Sequence, residues 1–128
     1  MAAMIYLDTH VVVWLYAKGA SALSKTSSQL LEQENDIRIS PMTRMELQYL
    51  KEIKRINQDP IIILDSLDST IGLSICNSPF PLIVKEAENN AWTRDPFDRL
   101  IVAQASLNEA PLITKDEIIH ANYPAAIW

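Results

Sequence analysis

Glycine and cysteine are nearly absent from this sequence. Its two glycines, Gly19 and Gly72, stand far apart. A dinucleotide-binding turn needs three glycines together, and a phosphate-binding P-loop needs two plus a lysine, so both are excluded. The one cysteine, Cys76, excludes an internal disulfide, a CxxC redox pair and a zinc knuckle. The two histidines, His10 and His120, are too widely spaced for an HExxH metal motif. Long apolar runs are missing too. The longest, residues 11–17, falls far below the roughly 20 residues that span a bilayer. The N-terminus has no basic segment and Asp8 interrupts its apolar stretch, so no secretory signal is read there. A cytoplasmic chain without membrane contact is expected, and a lone cysteine fits a reducing compartment. Positive charge is also short: 11 Lys and Arg face 16 Asp and Glu, for a formal net charge of −5. Such a chain binds a polyanion poorly unless metal ions and a local basic patch supply the missing charge.

What remains is ordinary globular material. The 128 residues are 48% hydrophobic and 21% charged, which suits a single domain over residues 1–128. Met4-Ile5-Tyr6-Leu7 reads as a buried strand, and Asp8-Thr9 caps a helix to about Tyr16 that Gly19 ends. Ser24 starts a second helix. A strand is expected over residues 37–40, and Ser40-Pro41 opens a helix to about Ile56. Asp59-Pro60 opens a helix to about Ser69, followed by a short strand within 72–76. After the loop 77–81, a helix to about Trp92 is expected, and Asp95-Pro96 starts another that ends near Glu109. Residues 111–114 read as a strand, 116–121 as a short helix and 125–128 as an edge strand. Short apolar strands alternating with helices predict an α/β fold, a parallel sheet covered on both faces. Ligands in such sheets gather beyond the carboxyl ends of the strands. Asp8, Ser40, Thr114 and Asp116 all fall there.

Four carboxylates stand out against these elements. Asp8 ends the first strand, where it can cap a helix or take part in chemistry. Glu46 has Met42 and Leu50 four residues to either side, so it lies on an apolar stripe that Ile53 continues. No Lys or Arg stands three or four residues from it, so no local ion pair explains it. An inward Glu must be protonated, paired across the fold or bound to a metal, unless its head reaches water from the edge of the stripe. In Asp95-Pro96-Phe97-Asp98, Asp95 suits the helix cap and Pro96 the first helical position. Asp98 shares a face with Ile101, Val102 and Ala105 and so turns toward the sheet; a favourable charge at the helix start also accounts for it. Asp116 follows the 111–114 strand, as a solvated turn residue or as a fourth acid. If Asp8, Glu46, Asp98 and Asp116 converge, their mutual repulsion calls for a cation. Oxygen-only ligands favour Mg2+ or Mn2+ over zinc, and such ions can activate water for attack on a phosphodiester.

Residues 5–14, Ile-Tyr-Leu-Asp-Thr-His-Val-Val-Val-Trp, closely resemble the opening of PIN-domain nucleases of the VapC toxin type. Ile39-Ser40-Pro41 with Glu46-Leu47 resembles their second motif. Residues 94–105, Arg-Asp-Pro-Phe-Asp-Arg-Leu-Ile-Val-Ala-Gln-Ala, resemble the third, and Leu112-Ile113-Thr114-Lys115-Asp116 the fourth. Tyr123 and Trp128 match the family's ending. The order runs nearly end to end, with residues 56–92 only generically similar. One departure is Thr93, where a His is expected before Arg94. The resemblance implies a PIN-like three-layer α/β/α fold with a mostly parallel central sheet. It implies an Mg2+- or Mn2+-dependent endoribonuclease using Asp8, Glu46, Asp98 and Asp116. It also implies a homodimer, an RNA substrate and inhibition by a cognate VapB-like antitoxin whose tail blocks the acidic site.

Around the four acids, Thr9 and Thr114 can hydrogen-bond the carboxylates or cap helices. Arg99 can pair with an acid or a phosphate, or form a surface ion pair. Lys51, Lys54 and Arg55 read as a basic stretch on one helix, solvated or facing RNA. His10 is expected to pack in the core or make a polar contact rather than act as a base. Rival enzymes fit less well. A haloacid-dehalogenase-type phosphatase needs a second Asp where His10 stands, and a receiver domain needs acids that this sequence lacks. The alternative of another class is a catalytically silent PIN-like module that binds RNA or protein. Degenerate members would lose acids, whereas all four candidates are present here.

Overall fold

The computed structural model describes residues 4–128. Five strands, β1 (Met4–Leu7), β2 (Asp36–Ile39), β3 (Ser74–Ile75), β4 (Leu112–Ile113) and β5 (Ala126–Ile127), form one sheet in the order β3-β2-β1-β4-β5. Every pairing is parallel. Tyr6 lies opposite both Arg38 of β2 and Leu112 of β4, so β1 is the central strand. Seven helices surround the sheet: α1 (Thr9–Lys18), α2 (Lys25–Gln33), α3 (Pro41–Glu52), α4 (Pro60–Ile71), α5 (Phe80–Ala87), α6 (Pro96–Leu107) and α7 (Glu117–Asn122). Among the described residues no helix is long and apolar enough to cross a membrane.

A strand buried on both faces shows a continuous apolar run, and β1 does. Ile5 and Leu7 join Ile37, Ile39 and Ile113 on one face, packed by Val11, Val12 and Leu15 of α1, Leu47 of α3 and Ile63 of α4. Tyr6 and Leu112 face the other way, onto Ile101, Val102 and Ala105 of α6 and Ile119 of α7. Outside α6 lies α5, joined through Ile83, Ala87, Leu100 and Ala103. The layers are therefore helix, sheet, helix, as the resemblance implied.

The helix starts follow their sequence signals. Asp8 accepts from the Thr9 amide, Ser24 from Ser27, Ser40 from Met42 and Asp95 from Phe97 and Asp98. Gly72 closes α4 in the left-handed conformation, φ 69° and ψ 27°, which costs glycine little. The ends fit less well. α3 stops at Glu52, four residues short of the expected Ile56, because Lys54 turns to φ 63° and Arg55 bonds back to the Leu50 carbonyl. Lys54 and Arg55 therefore do not lie on the helix with Lys51, which pairs with Asp59. Ile53 leaves the apolar stripe and is exposed. α5 stops at Ala87 rather than Trp92, where the chain folds back in tight turns pinned by Asn90 donating to the Arg99 carbonyl. Behind β3, Cys76 is buried: the Tyr6 hydroxyl donates to its sulfur at 2.9 Å, and Ser78 Oγ stands 3.2 Å from it.

The phase of α3 decides where Glu46 points, and its two neighbours test it. Leu47 is fully buried and Met45 is 57% exposed. Leu47→Ala is expected to destabilise the chain by about 2–5 kcal/mol in urea denaturation. Met45→Ala should change stability by less than about 0.5 kcal/mol.

Candidate active site

Sheet order makes the site. The chain runs outward from β1 to β2 and β3, then returns to build β4 and β5 on the other side. A crevice opens where the order reverses, beyond the ends of β1 and β4. Asp8 follows β1 there and is only 6% exposed. Both its oxygens are engaged: Oδ1 accepts from the Thr9 amide at 2.8 Å and Oδ2 from the Thr114 hydroxyl at 2.7 Å. Thr114, at the end of β4, also accepts from the Asp116 amide at 3.1 Å. One buried threonine thus orients Asp8 and the backbone of Asp116. The two sequence readings of Thr114, carboxylate partner and local cap, hold together.

A cleft of about 490 Å³ opens above these groups. Glu46 reaches it from α3, Asp98 from the first turn of α6 and Asp116 from the cap of α7; Asp95 and Glu117 stand at its rim. All four expected acids therefore face one space, drawn from four separate stretches of chain. A larger hollow of about 670 Å³ lies between α1, α2 and α4. Its charged residues are Glu32 and Glu34 alone, so it offers size without a reactive constellation.

The electrostatics of the cleft are strained. Burial raises the Asp8 carboxyl above the usual range, against the opposing bonds from Thr114 and Thr9. Burial also raises Glu46, helped by the charges of Asp8 and Asp95. Asp98 is pushed up to about 7, by burial first and then by Asp95, Asp8, Asp116 and Glu46. Glu46 Oε1 is buried without a hydrogen-bond partner. The Thr9 hydroxyl lies beside Glu46 and tempers its rise, yet at 3.3 Å its proton is directed to Thr43. A hydroxyl has one proton, so it serves one of these neighbours at a time. An orphaned buried carboxylate oxygen among other repelling carboxylates suits a hard divalent cation, which takes oxygen donors. As the side chains lie, no three His, Cys, Asp or Glu among the described residues form a group that could hold a metal ion. The acids ring the cleft without forming such a group.

Other expected residues are placed differently. Asp95 caps α6 through Oδ1, at 2.8 Å from the Phe97 amide and 3.2 Å from that of Asp98. Arg99 does not reach the acids. It lies one residue, about 100° of helix, past Asp98, and its guanidinium donates to the Ala87 carbonyl at 3.3 Å, clamping the end of α5 to α6. His10 lies outside the core and makes no hydrogen bond or salt bridge among the described residues; it is exposed on the cleft wall, its ring 6.2 Å from that of Trp14. Trp14, Lys115 and Glu117 also line the cleft, and the sequence reading gave none of them a part. The i, i+4 spacing of His10 and Trp14 behind Asp8 was the signal available for that wall.

The raised pKa of Asp98 makes stability depend on pH. An ordinary Asp near 3.8 loses its proton in the unfolded chain while folded Asp98 keeps one up to about 7. Between these values the folded state binds more protons, so stability falls as pH rises. Without divalent ions, the melting temperature should drop between pH 5 and pH 8, and Asp98→Asn should make that drop smaller. Thermal denaturation in EDTA across that range checks it.

Comparison with known proteins adds the family. A family model described as the PIN domain matches residues 5–123. Ribonuclease VapC22 of Mycobacterium tuberculosis is 29% identical over 133 residues, covering 97% of this chain and 98% of the relative. Among solved structures, VapBC2 of Rickettsia felis bound to a promoter DNA fragment is similar with a TM-score of 0.68 at 22% identity, covering 98% of each chain. A toxin-antitoxin complex from Klebsiella pneumoniae gives 0.68 at 18% identity, covering 97% of this chain and 96% of the other. These solved structures share the fold over nearly the whole chain, and with the family model matching residues 5–123, the chain belongs to the PIN domain family.

Proposed function

We propose that this protein is a divalent-metal-dependent endoribonuclease that acts as the toxin of a toxin–antitoxin pair. The observation that carries the reading is the orphaned Glu46 oxygen, buried in a cleft that Asp8, Asp98 and Asp116 also face. Ribonuclease VapC22, similar over nearly the full chain, supports RNA as substrate. The similar folds in VapBC and other toxin-antitoxin complexes support a VapB-like antitoxin partner. The family resemblance supports a homodimer.

Asp8, Glu46, Asp98 and Asp116 would hold Mg2+ or Mn2+. When bound, such an ion supplies the positive charge that activates a water and stabilises the leaving oxygen of a phosphodiester. The protein's own part is positioning. Thr114 and the Thr9 amide fix both oxygens of Asp8, so its orientation is set before any ligand arrives. Asp98 sits in the first turn of α6, and the cap made by Asp95 holds that turn in place. Burial and repulsion keep Asp98 partly protonated near neutral pH, so ion binding releases a proton from it.

Two aspartates three residues apart test the assignment. Asp95→Asn should keep the cap, since Asn caps about as well as Asp, and leave Mg2+-dependent RNA cleavage within several-fold of wild type. Asp98→Asn keeps its shape and loses its charge; cleavage should fall by orders of magnitude while metal-free stability holds or rises. A dead Asp95→Asn beside an active Asp98→Asn would move the ligand to the other residue. RNA binding without cleavage by wild type would favour the silent module. Millimolar Mg2+ or Mn2+ should also raise the melting temperature, by linkage worth about 1.4–2.7 kcal/mol at roughly 10–100 times Kd. An Asp8→Asn, Asp98→Asn double variant should not respond, and an equal rise in both proteins would sink the acidic site.

A further inference from the structure

The cleft has a second wall. His10 and Trp14 lie one turn apart on α1 with their rings 6.2 Å apart and tilted by 46°. Trp14 packs edge-on against Trp128, centroids 5.7 Å apart at 71°. Over Trp128, at 5.8 Å from its ring, stands the ammonium of Lys115. Four side chains, two from α1, one two residues past β4 and one just past β5, thus form one continuous strip. It borders the acids directly, because Asp8 caps α1 and Asp116 follows Lys115.

Two features leave this strip open to a ligand. Lys115 is exposed and makes no salt bridge among the described residues, although Asp116 and Glu117 are its neighbours in sequence. Among the described residues it is also the only Lys or Arg lining the cleft, against six carboxylates: Asp8, Glu46, Asp95, Asp98, Asp116 and Glu117. The His10 ring lies open to solvent beside the half-buried Trp14, so an aromatic surface faces the space where a ligand would sit.

We infer that this strip is a nucleotide-binding subsite: a base of single-stranded RNA stacks against His10 and Trp14, and Lys115 takes the phosphate beside it. The inference rests on the ribonuclease reading above and names how that substrate is held. A flat, uncharged base suits the rings, because stacking tolerates any base. A phosphate suits the ammonium, because a polyanion entering a cleft of carboxylates needs a fixed positive charge as well as mobile ones. A base can turn its face to a side chain only where it is not stacked within a helix, which selects single-stranded loops and ends. Asp8 at the foot of the strip places the neighbouring phosphodiester over the acids. His10, Trp14 and Lys115 are thereby positioning residues, and none exchanges a proton or a bond with the RNA.

Binding and cleavage are read separately. The intact chain is titrated into a short fluorescein-labelled single-stranded RNA, followed by anisotropy, with Ca2+ present to neutralise the acids. His10→Ala should weaken binding by roughly fivefold to a hundredfold, and His10→Phe, which restores a ring, should recover most of it. Lys115→Gln should weaken binding and reduce the slope of log Kd against log salt by about 0.7, the share of one phosphate on a single strand. Phe80→Ala, which removes an exposed ring on α5 outside the cleft, should bind as wild type. In Mg2+, the His10 and Lys115 variants should raise KM more than they lower kcat. Wild-type binding in His10→Ala and an unchanged salt slope in Lys115→Gln would overturn the subsite, as would no RNA binding by wild type or equal weakening by Phe80→Ala. The ribonuclease reading fails on a different result, the absence of metal-dependent cleavage, whatever the binding curves show.

Discussion

Residues 106 apart in sequence meet where the Thr114 hydroxyl donates to Asp8, and the rest of the site is arranged around that bond. It joins the ends of β1 and β4, the two neighbouring parallel strands at which the strand order reverses. β4 is two residues long, and its backbone reaches β1 through the amides of Tyr6 and Asp8, which donate to Pro111 and Ile113. Such a short strand has little of its own to hold register. The threonine adds a buried, charge-assisted contact at the point where register matters most, because the next residues are Lys115 and Asp116. α1, which Asp8 caps, takes its direction from the same place and carries His10 and Trp14 with it.

The cleft opposes the fold that holds it. Hydrophobic packing on both faces of β1 brings Asp8 into the interior, and the apolar stripes of α3 and α6 turn Glu46 and Asp98 toward it. Each of these carboxylates is desolvated by the packing that stabilises its helix, and neighbouring acids add to the rise: Asp116 on Asp8, Asp8 and Asp95 on Glu46, and Asp95, Asp8, Asp116 and Glu46 on Asp98. The strain of the cleft thus has the same origin as the stability of the helices that line it.

Fold and acids were legible in the sequence because both rest on local signals that repeat. Asp-Pro and Ser-Pro pairs announce helix starts, and Ser40, Asp59 and Asp95 stand at the caps expected of them. The alternation Ile5, Tyr6, Leu7 under one continuous apolar run announces a strand buried on both faces. Glu46 was legible as a contradiction, an acid without a helical partner on an apolar stripe. Helix ends were harder to read. α3 closes through a lysine at positive φ, where no glycine marks the stop, and α5 closes in turns held by contacts from Asn90 and Arg99 to the neighbouring helix. Arg99 looked like part of the site because it is next to Asp98 in sequence, yet one step of helical rotation carries it to α5. The aromatic strip was hidden for the opposite reason: His10, Trp14, Lys115 and Trp128 come together only when α1, β4 and β5 are side by side.

The single cysteine has a practical meaning. Cys76 lies behind the edge strand β3, covered by Tyr6, Ile101 and Val102, with 2% of its surface exposed. A thiol-specific reagent in solvent meets it only after the chain around it opens, whether the 77–79 loop beside it or the packing against α6. The chain therefore carries its own reporter of local opening, and the speed of labelling measures how often that face of the molecule breathes.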